Sequence, residues 1–186
     1  EIVTQLCAAG GKAIGITGKD GNLIRAKKLQ LNKGDSGSKP IDVGLVGEIE
    51  SVDTDILRNL SENNAIPVIA PIGMGVNGES YNINADTVAG KVAEYLKAEK
   101  LVLLTNTSGV LNESGEVLSV LSRNQVEALI KSKLISEGMI PKVECAISAV
   151  ENGVNSVQIV DGRISHCLLL ELFTDSGIGT QIVQKK

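Results

Sequence analysis

The chain is 186 residues long, 42% apolar and only 2% aromatic, with a formal charge of −4 and no Trp. That length allows one domain with a sizeable core, and the apolar share excludes a disordered chain. The charges are scattered, with no Lys/Arg run, which excludes a nucleic-acid-binding surface. No apolar stretch approaches membrane-spanning length and no signal peptide opens the chain, so it reads as soluble and cytoplasmic. The core has to come from Val, Ile, Leu and Ala, a composition that suits buried parallel strands flanked by helices. Cys7, Cys145 and Cys167 are far apart and odd in number, and His166 is the only imidazole. They read as reduced thiols packed as small hydrophobes, not as a zinc site.

Residues 1–9 (EIVTQLCAA) carry helical spacing through Ile2, Val3 and Leu6, ended by Gly10 and Gly11. The chain starts without Met inside that pattern, which suggests upstream sequence. Residues 13–17 read as a strand, 18–21 (GKDG) as a turn, and 32–40 (NKGDSGSKP) as a polar surface excursion. A strand is expected over 43–52, then a helix to about residue 62 capped by the Asp53 carboxylate. IPVIA (66–70) is a buried parallel strand, and Asn77 with Gly78 supplies a hairpin tip.

A helix follows over 85–97 through Val88, Val92 and Leu96, then a buried strand over 101–104. Ser122 and Gln125 form a capping box, with Leu121 and Val126 closing a staple around it. Residues 142–151 are helical, 156–160 a strand, 161–162 a turn, 167–173 a buried apolar element, and 179–183 a last strand. Strands alternating with helices imply a three-layer αβα sandwich with a mainly parallel open sheet, in a single α/β domain over 1–186.

Three stretches have the chemistry of a binding site. In YNINAD (81–86), Asn82 and Asn84 alternate on an extended segment, and Asp86 falls in the first helical turn, where the dipole favours an anion. Two readings stay open: Asn84 is a plain helix cap with Asp86 as dipole decoration, or both belong to a site. The plain reading leaves Asn82 unexplained. In LLTNTSGVL (103–111), Thr105 and Asn106 stand at a strand's carboxyl end, where open α/β sheets bind ligands, although an ordinary strand-to-loop turn has the same pattern. In GMIPKV (138–143), Lys142 lies near a helix start that repels a cation, a local conflict that an anionic ligand would relieve. A solvated surface lysine is the competing reading. Glu171 sits inside an apolar run, so it either points out of that run or meets a cation. His166 has no nucleophile partner motif and reads as structural, and TDSGIGT (174–180) lacks the lysine of a Walker sequence.

Taken in order, ITGKDG (16–21), GEIESVD (47–53), IPVIAPIG (66–73), YNINAD, LLTNTSGVL, GMIPKV and HCLLLELFTDSGIGT (166–180) resemble the amino-acid kinase family, and within it the N-acetylglutamate kinases. The resemblance covers essentially the whole chain, as the C-terminal, nucleotide-binding portion of such an enzyme. It implies transfer of the ATP γ-phosphoryl group to the side-chain carboxylate of N-acetyl-L-glutamate in arginine biosynthesis, with Mg2+ riding on the phosphates. By matching motif positions, Asn82 would bind the acetylglutamate, Asp86 would organise catalytic lysines, Lys142 would neutralise the transferring phosphoryl group, and Thr105 and Asn106 would lie at the nucleotide. Glu171 and Gly177 match residues that hold an arginine effector in feedback-inhibited members. Homo-oligomers and a PII-type protein are partners by family analogy.

Three departures stand out: Glu137 in place of a usual Gly, Asn106 in place of a frequent Asp, and absence of the family's N-terminal elements. Those elements are a lysine-bearing loop, a glycine-rich phosphoryl loop and a substrate-gripping Arg, so the 186 residues alone are expected to have little or no kinase activity. The rival readings are another amino-acid kinase (carbamate, glutamate 5- or aspartate kinase) and a non-catalytic module binding ATP or arginine. The resemblance requires Asn82, Asp86 and Lys142 to converge on one polyanionic pocket.

Overall fold

The apolar stripe at the start of the chain becomes α1 (Ile2–Ala8), and the Gly10 amide closes it on the Cys7 carbonyl at 3.0 Å. The computed structural model describes residues 1–30, 42–135, 138–174 and 177–184. The excursion expected at 32–40 and the departure at Glu137 both lie outside them. The chain divides into two units, Glu1–Val88 and Ala89–Lys186.

In the first unit, β1 (Ala13–Thr17) runs into a turn that the Asp20 carboxylate holds by accepting from the Thr17 amide at 2.7 Å. A single 3₁₀ turn, Asp20–Asn22, leads into β2 (Ile24–Lys28). Three cations in IRAKK conceal this strand from a hydrophobicity reading, yet Ile24 and Ala26 are buried while Lys27 and Lys28 are exposed. Next comes β3 (Gly47–Val52). It starts later than the expected residue 43, because the Asp42 carboxylate takes the Gly44 amide at 2.9 Å and turns the chain there.

α2 (Asp55–Glu62) has Thr54 at its N-cap position, but Asp53 does the capping work, accepting from the Asp55 amide at 3.0 Å. β4 (Ile66–Ala70) pairs in parallel with β1, from Ala13 opposite Ile66 to Thr17 opposite Ala70. β5 (Ile72–Met74) and β6 (Ser80–Asn82) form the expected hairpin around Asn77 and Gly78, and join a sheet ordered β3-β2-β5-β6. α3 (Ala85–Leu96) follows.

The second unit is built on β7 (Lys100–Thr105), β8 (Val120–Ser122), α4 (Arg123–Lys131), α5 (Ile140–Glu151), β9 (Ser156–Asp161), α6 (Cys167–Phe173) and β10 (Gly179–Val183). Its sheet is ordered β7-β9-β10-β8; β9 runs parallel to β7 and antiparallel to β10, and β8 runs parallel to β10. The capping box forms as expected: Gln125 Oε1 accepts from the Ser122 amide at 2.9 Å at the head of α4. All six residues of β9 are buried, so both of its faces are covered. α5 packs against β9 and β10, and α6 against β9. Val143, Ala146, Val157, Ile159 and Ile182, each fully shielded from solvent, centre the core.

The architecture is the expected α/β sandwich, with parallel pairs β1–β4, β2–β5, β7–β9 and β8–β10. Among the described residues its strands form three sheets of two, four and four strands.

The burial expected of three segments is overturned. No residue of β4 is buried, and Ile66 is exposed; in β7 only Leu103 is buried, and Leu104 is exposed. Residues 167–173 are not a buried apolar element but a helix whose leucines face water: Leu168, Leu169, Leu172 and Phe173 are exposed, while Cys167 and Glu171 are buried. Cys167 and Glu171 stand four apart and so share the inward face, which turns the intervening leucines outward. Among the described residues no helix is long and apolar enough to cross a membrane.

Truncating Ile159, at the centre of the covered strand, should cost about 2–5 kcal/mol on Ile159→Ala and about 0.5–1.5 on Ile159→Val. Urea or guanidinium midpoints measure both, and equal midpoints for the two variants would show that the site is not tightly packed.

Candidate functional site

In the first unit, the alternation Tyr81 buried, Asn82 exposed, Ile83 buried, Asn84 exposed carries the period of β6 into the helix start. Asn82 and Asn84 therefore share the open face. Asn84 is the cap: its Oδ1 accepts from the Thr87 amide at 3.1 Å. Capping leaves Asn82 unused, at the end of the hairpin and paired across from Ile72. Asp86 is half-buried in the first turn of α3.

In the second unit, Thr105 ends β7 opposite Asp161, the last residue of β9. Its carbonyl accepts from the Gly162 amide at 2.9 Å, which ties the start of the following loop to the β9 turn. That turn is itself braced. Arg163 donates to both Asp161 oxygens, Nε at 3.0 Å and the terminal nitrogen at 2.8 Å, and its amide adds a third bond at 2.9 Å. The guanidinium first, and the amide second, hold the Asp161 carboxyl down at about 2 against the raising effect of burial.

Beyond Thr105 and the exposed Asn106, the loop walls a cavity of about 260 Å³ with Thr107, Gly109, Leu111, Leu134, Ile135 and Met139. Its lining is mainly apolar. The Thr107 Oγ1 is buried and finds no hydrogen-bond partner among the described residues. Met139 is also the N-cap of α5, where its carbonyl accepts from the Lys142 and Val143 amides at 3.1 Å. Lys142, half-buried in the first turn, thus begins one turn past a residue that lines the cavity. Pro141 occupies an opening position of the helix, where its missing N–H costs nothing. The structure brings Thr105, Asn106 and the start of α5 into one region, built from loops at strand and helix ends.

Glu171 and Gly177 lie together elsewhere in this unit. They line a cavity of about 200 Å³ with Lys100, Gln158, Thr174 and Gln181. The Glu171 side chain is only 6% exposed; Oε2 accepts from the Ile178 amide at 3.0 Å, and Lys100 Nζ lies 3.9 Å from Oε1. The awkward carboxylate therefore points inward and meets a cation. Gly177 has φ +59, which favours glycine, and a Cβ there would stand 2.8 Å from Glu171 Oε2, so a larger residue would displace the carboxylate. Gln158, 3% exposed, also lines this cavity, and its buried Oε1 has no partner among the described residues.

Sequence reasoning missed Lys100, Thr107 and Gln158. Only Gln158 carried a signal, as a polar side chain inside a fully covered strand. His166, exposed at φ +59, begins α6 as a turn residue.

The fold is an α/β sandwich with a cavity in the loops beyond the carboxyl end of β7, the place where such sheets bind ligands. The amino acid kinase family matches residues 1–161, and the chain belongs to that family. It is 56% identical over 186 residues to the acetylglutamate kinase of Azoarcus sp. (strain BH72), an alignment that takes in 100% of the chain and 62% of that protein. The chain thus spans somewhat under two thirds of the length of the curated relatives it matches. Among solved structures it resembles N-acetylglutamate synthase from Neisseria gonorrhoeae. The complex with coenzyme A and N-acetyl-glutamate superposes at TM-score 0.86 with 29% identity, over 98% of this chain and 40% of that one. The complex with coenzyme A and L-arginine gives TM-score 0.80 at 29% identity, over 94% and 38%.

Asp161 has its carboxyl lowered on folding from 3.8 to about 2. Its stabilising contribution is therefore complete above about pH 4 and is lost as the pH falls toward 2. Asp161→Asn should lower stability at neutral pH and flatten the loss of stability in that acid window, as followed by circular dichroism. An unchanged acid slope would show that the Arg163 pairing does not survive in solution.

Proposed function

We propose that the complete protein transfers the γ-phosphoryl group of ATP to the side-chain carboxylate of N-acetyl-L-glutamate. The observation that carries this is alignment of the entire chain, without a lost segment, to acetylglutamate kinases at 53–56% identity. The site motifs support it from below. They stand at strand ends and helix starts, where backbone N–H groups point outward at an anion.

A carboxylate oxygen forms the new bond to phosphorus, and the bond from phosphorus to the bridging oxygen breaks, releasing ADP. The acceptor is ionised at neutral pH, so the protein has to position and neutralise more than it has to remove a proton. Asn82 donates to the acetylglutamate, and Asp86 orients the catalytic lysines. Lys142 carries positive charge to the transferring group, while Thr105, Asn106 and the cavity beyond them receive the nucleotide. Mg2+ would be held by the phosphate oxygens and water and not by an all-protein cage. Homo-oligomers, a PII-type partner and cytoplasmic location belong to the same reading of the complete protein.

The cavity at Glu171 suits a cationic effector. It offers the Glu171 carboxylate, a mainly polar lining and a wall kept free of a side chain by Gly177. Arginine has the matching geometry, since its planar guanidinium donates to two acceptors at once. The arginine complex of the Neisseria synthase supports that choice.

An ADP-release assay on the complete protein tests the reaction. N-acetyl-L-glutamate should be turned over in preference to carbamate, glutamate and aspartate. Lys142→Met should lower kcat by about 10²–10³-fold, the usual loss for one donor aimed at developing charge. Asn82→Ala should raise KM for acetylglutamate far more than KM for ATP. Turnover of carbamate or aspartate in preference would move the assignment elsewhere in the family.

For the effector site, Glu171→Gln and Gly177→Ala should each weaken arginine binding by at least about tenfold in calorimetry. Arginine that binds both variants as it binds the parent would place the effector elsewhere.

A further inference from the structure

Thr180, the second residue of β10, is wholly buried, and its hydroxyl does not serve its own strand. Thr180 Oγ1 accepts from the Val110 amide at 2.8 Å, a contact between residues 70 apart in sequence. The Val110 carbonyl accepts from the Leu118 amide at 2.8 Å, so both backbone groups of Val110 are engaged. Gly109, just before it, has φ +136, and a Cβ at that position would stand 2.7 Å from Thr180 Oγ1 and 3.1 Å from Val117 Cγ1. Only glycine lets the loop lie this close to β10.

The loop is thus anchored at both ends. The Thr105 carbonyl is held by the Gly162 amide at the end of β9, and the Val110 amide by Thr180 at the start of β10. Between the anchors the chain bridges the carboxyl end of β9, and Thr107, Gly109 and Val110 of the bridge line the cavity that Leu134, Ile135 and Met139 close. The two anchors therefore set where that wall of the cavity stands.

We infer that Thr180 is a positioning residue for nucleotide binding: it fixes Gly109 and Val110, which line the cavity beyond β7. This rests on the proposal that the loop after β7 meets the nucleotide. Thr180 acts through the loop and need not touch the ligand itself.

The test compares Thr180→Val, which keeps the side-chain volume and loses the acceptor, with Thr180→Ser, which keeps the acceptor. ADP and acetylglutamate affinities are measured by calorimetry on the complete protein, with thermal midpoints alongside. Thr180→Val should weaken ADP by about five- to tenfold, the size of one net hydrogen bond, while acetylglutamate affinity stays within about twofold. Thr180→Ser should restore ADP affinity. Gly109→Ala pushes on the same contact from the loop side and should also weaken ADP, which keeps the claim testable if Thr180→Val does not fold.

Parental ADP affinity in Thr180→Val or in Gly109→Ala overturns the inference. So does equal loss of both ligands, or failure of serine to rescue. A parent protein that binds no ADP overturns the nucleotide reading, and this inference with it. A parent that binds ADP beside an unaffected Thr180→Val removes only the role of Thr180.

Discussion

In the unit Ala89–Lys186, the constraint on which the rest depends is a strand with no solvent face. Every residue of β9 is buried, so each polar group it carries must be matched or assigned a purpose. Ser156 and Asp161 sit at its ends, and Asp161 is satisfied by Arg163. Val157, Ile159 and Val160 fill the interior. Gln158 alone stands in the middle with an acceptor unused among the described residues, and it lines the Glu171 cavity. The strand's other end supplies the Gly162 amide that starts the loop after β7. The loop after β7 and the Glu171 cavity therefore hang on one covered strand, and a packing defect in it would be felt at both.

The two cavities differ in the chemistry they offer. The one walled by Thr107, Leu111 and Met139 is mainly apolar and offers contact area more than polar partners. The one at Glu171 is lined mainly by polar groups and has an acid at its base. Lys100, 3.9 Å from that acid, is loosely engaged and sits 30% exposed, so a better-matched cation can replace it without stranding a buried charge. Neither site needs a perturbed histidine or a metal cluster, in keeping with chemistry in which the acceptor is already ionised.

Local patterns were legible and long-range ones were not. The bounds of β1, β4 and β10 follow from runs of Ala, Ile, Val and Thr between turn residues, and the Ser122–Gln125 box from four letters of sequence. β2 was hidden because its outward positions hold Arg and Lys, which a hydrophobicity reading takes for loop. The CLLLELF run misled in the opposite sense, since apolar content was read as burial while the helical period decided which face was inside. Glu171 was legible as an anomaly because an acid among leucines demands an explanation. Lys100 as its partner was not, being 71 residues distant (171 − 100) and joined to it only by the fold. Asn84 showed the limit of local reasoning on the candidate site: the capping reading and the functional reading were both open, and capping is what the side chain does, which leaves Asn82 as the amide with a face to offer.

The inversion of α6 has a thermodynamic consequence. A helix of seven residues gains little from intrinsic propensity, and this one leaves Leu168, Leu169, Leu172 and Phe173 in water, so it draws little from the hydrophobic effect either. What fastens it is a carboxylate holding one amide across a turn. Opening α6 would expose little new apolar area and so carry a small heat-capacity change, unlike opening α5, whose Val143, Ala146, Ala149 and Val150 are packed away. Local opening of α6 is therefore only weakly tied to the apolar burial that holds the sheet and α5 together.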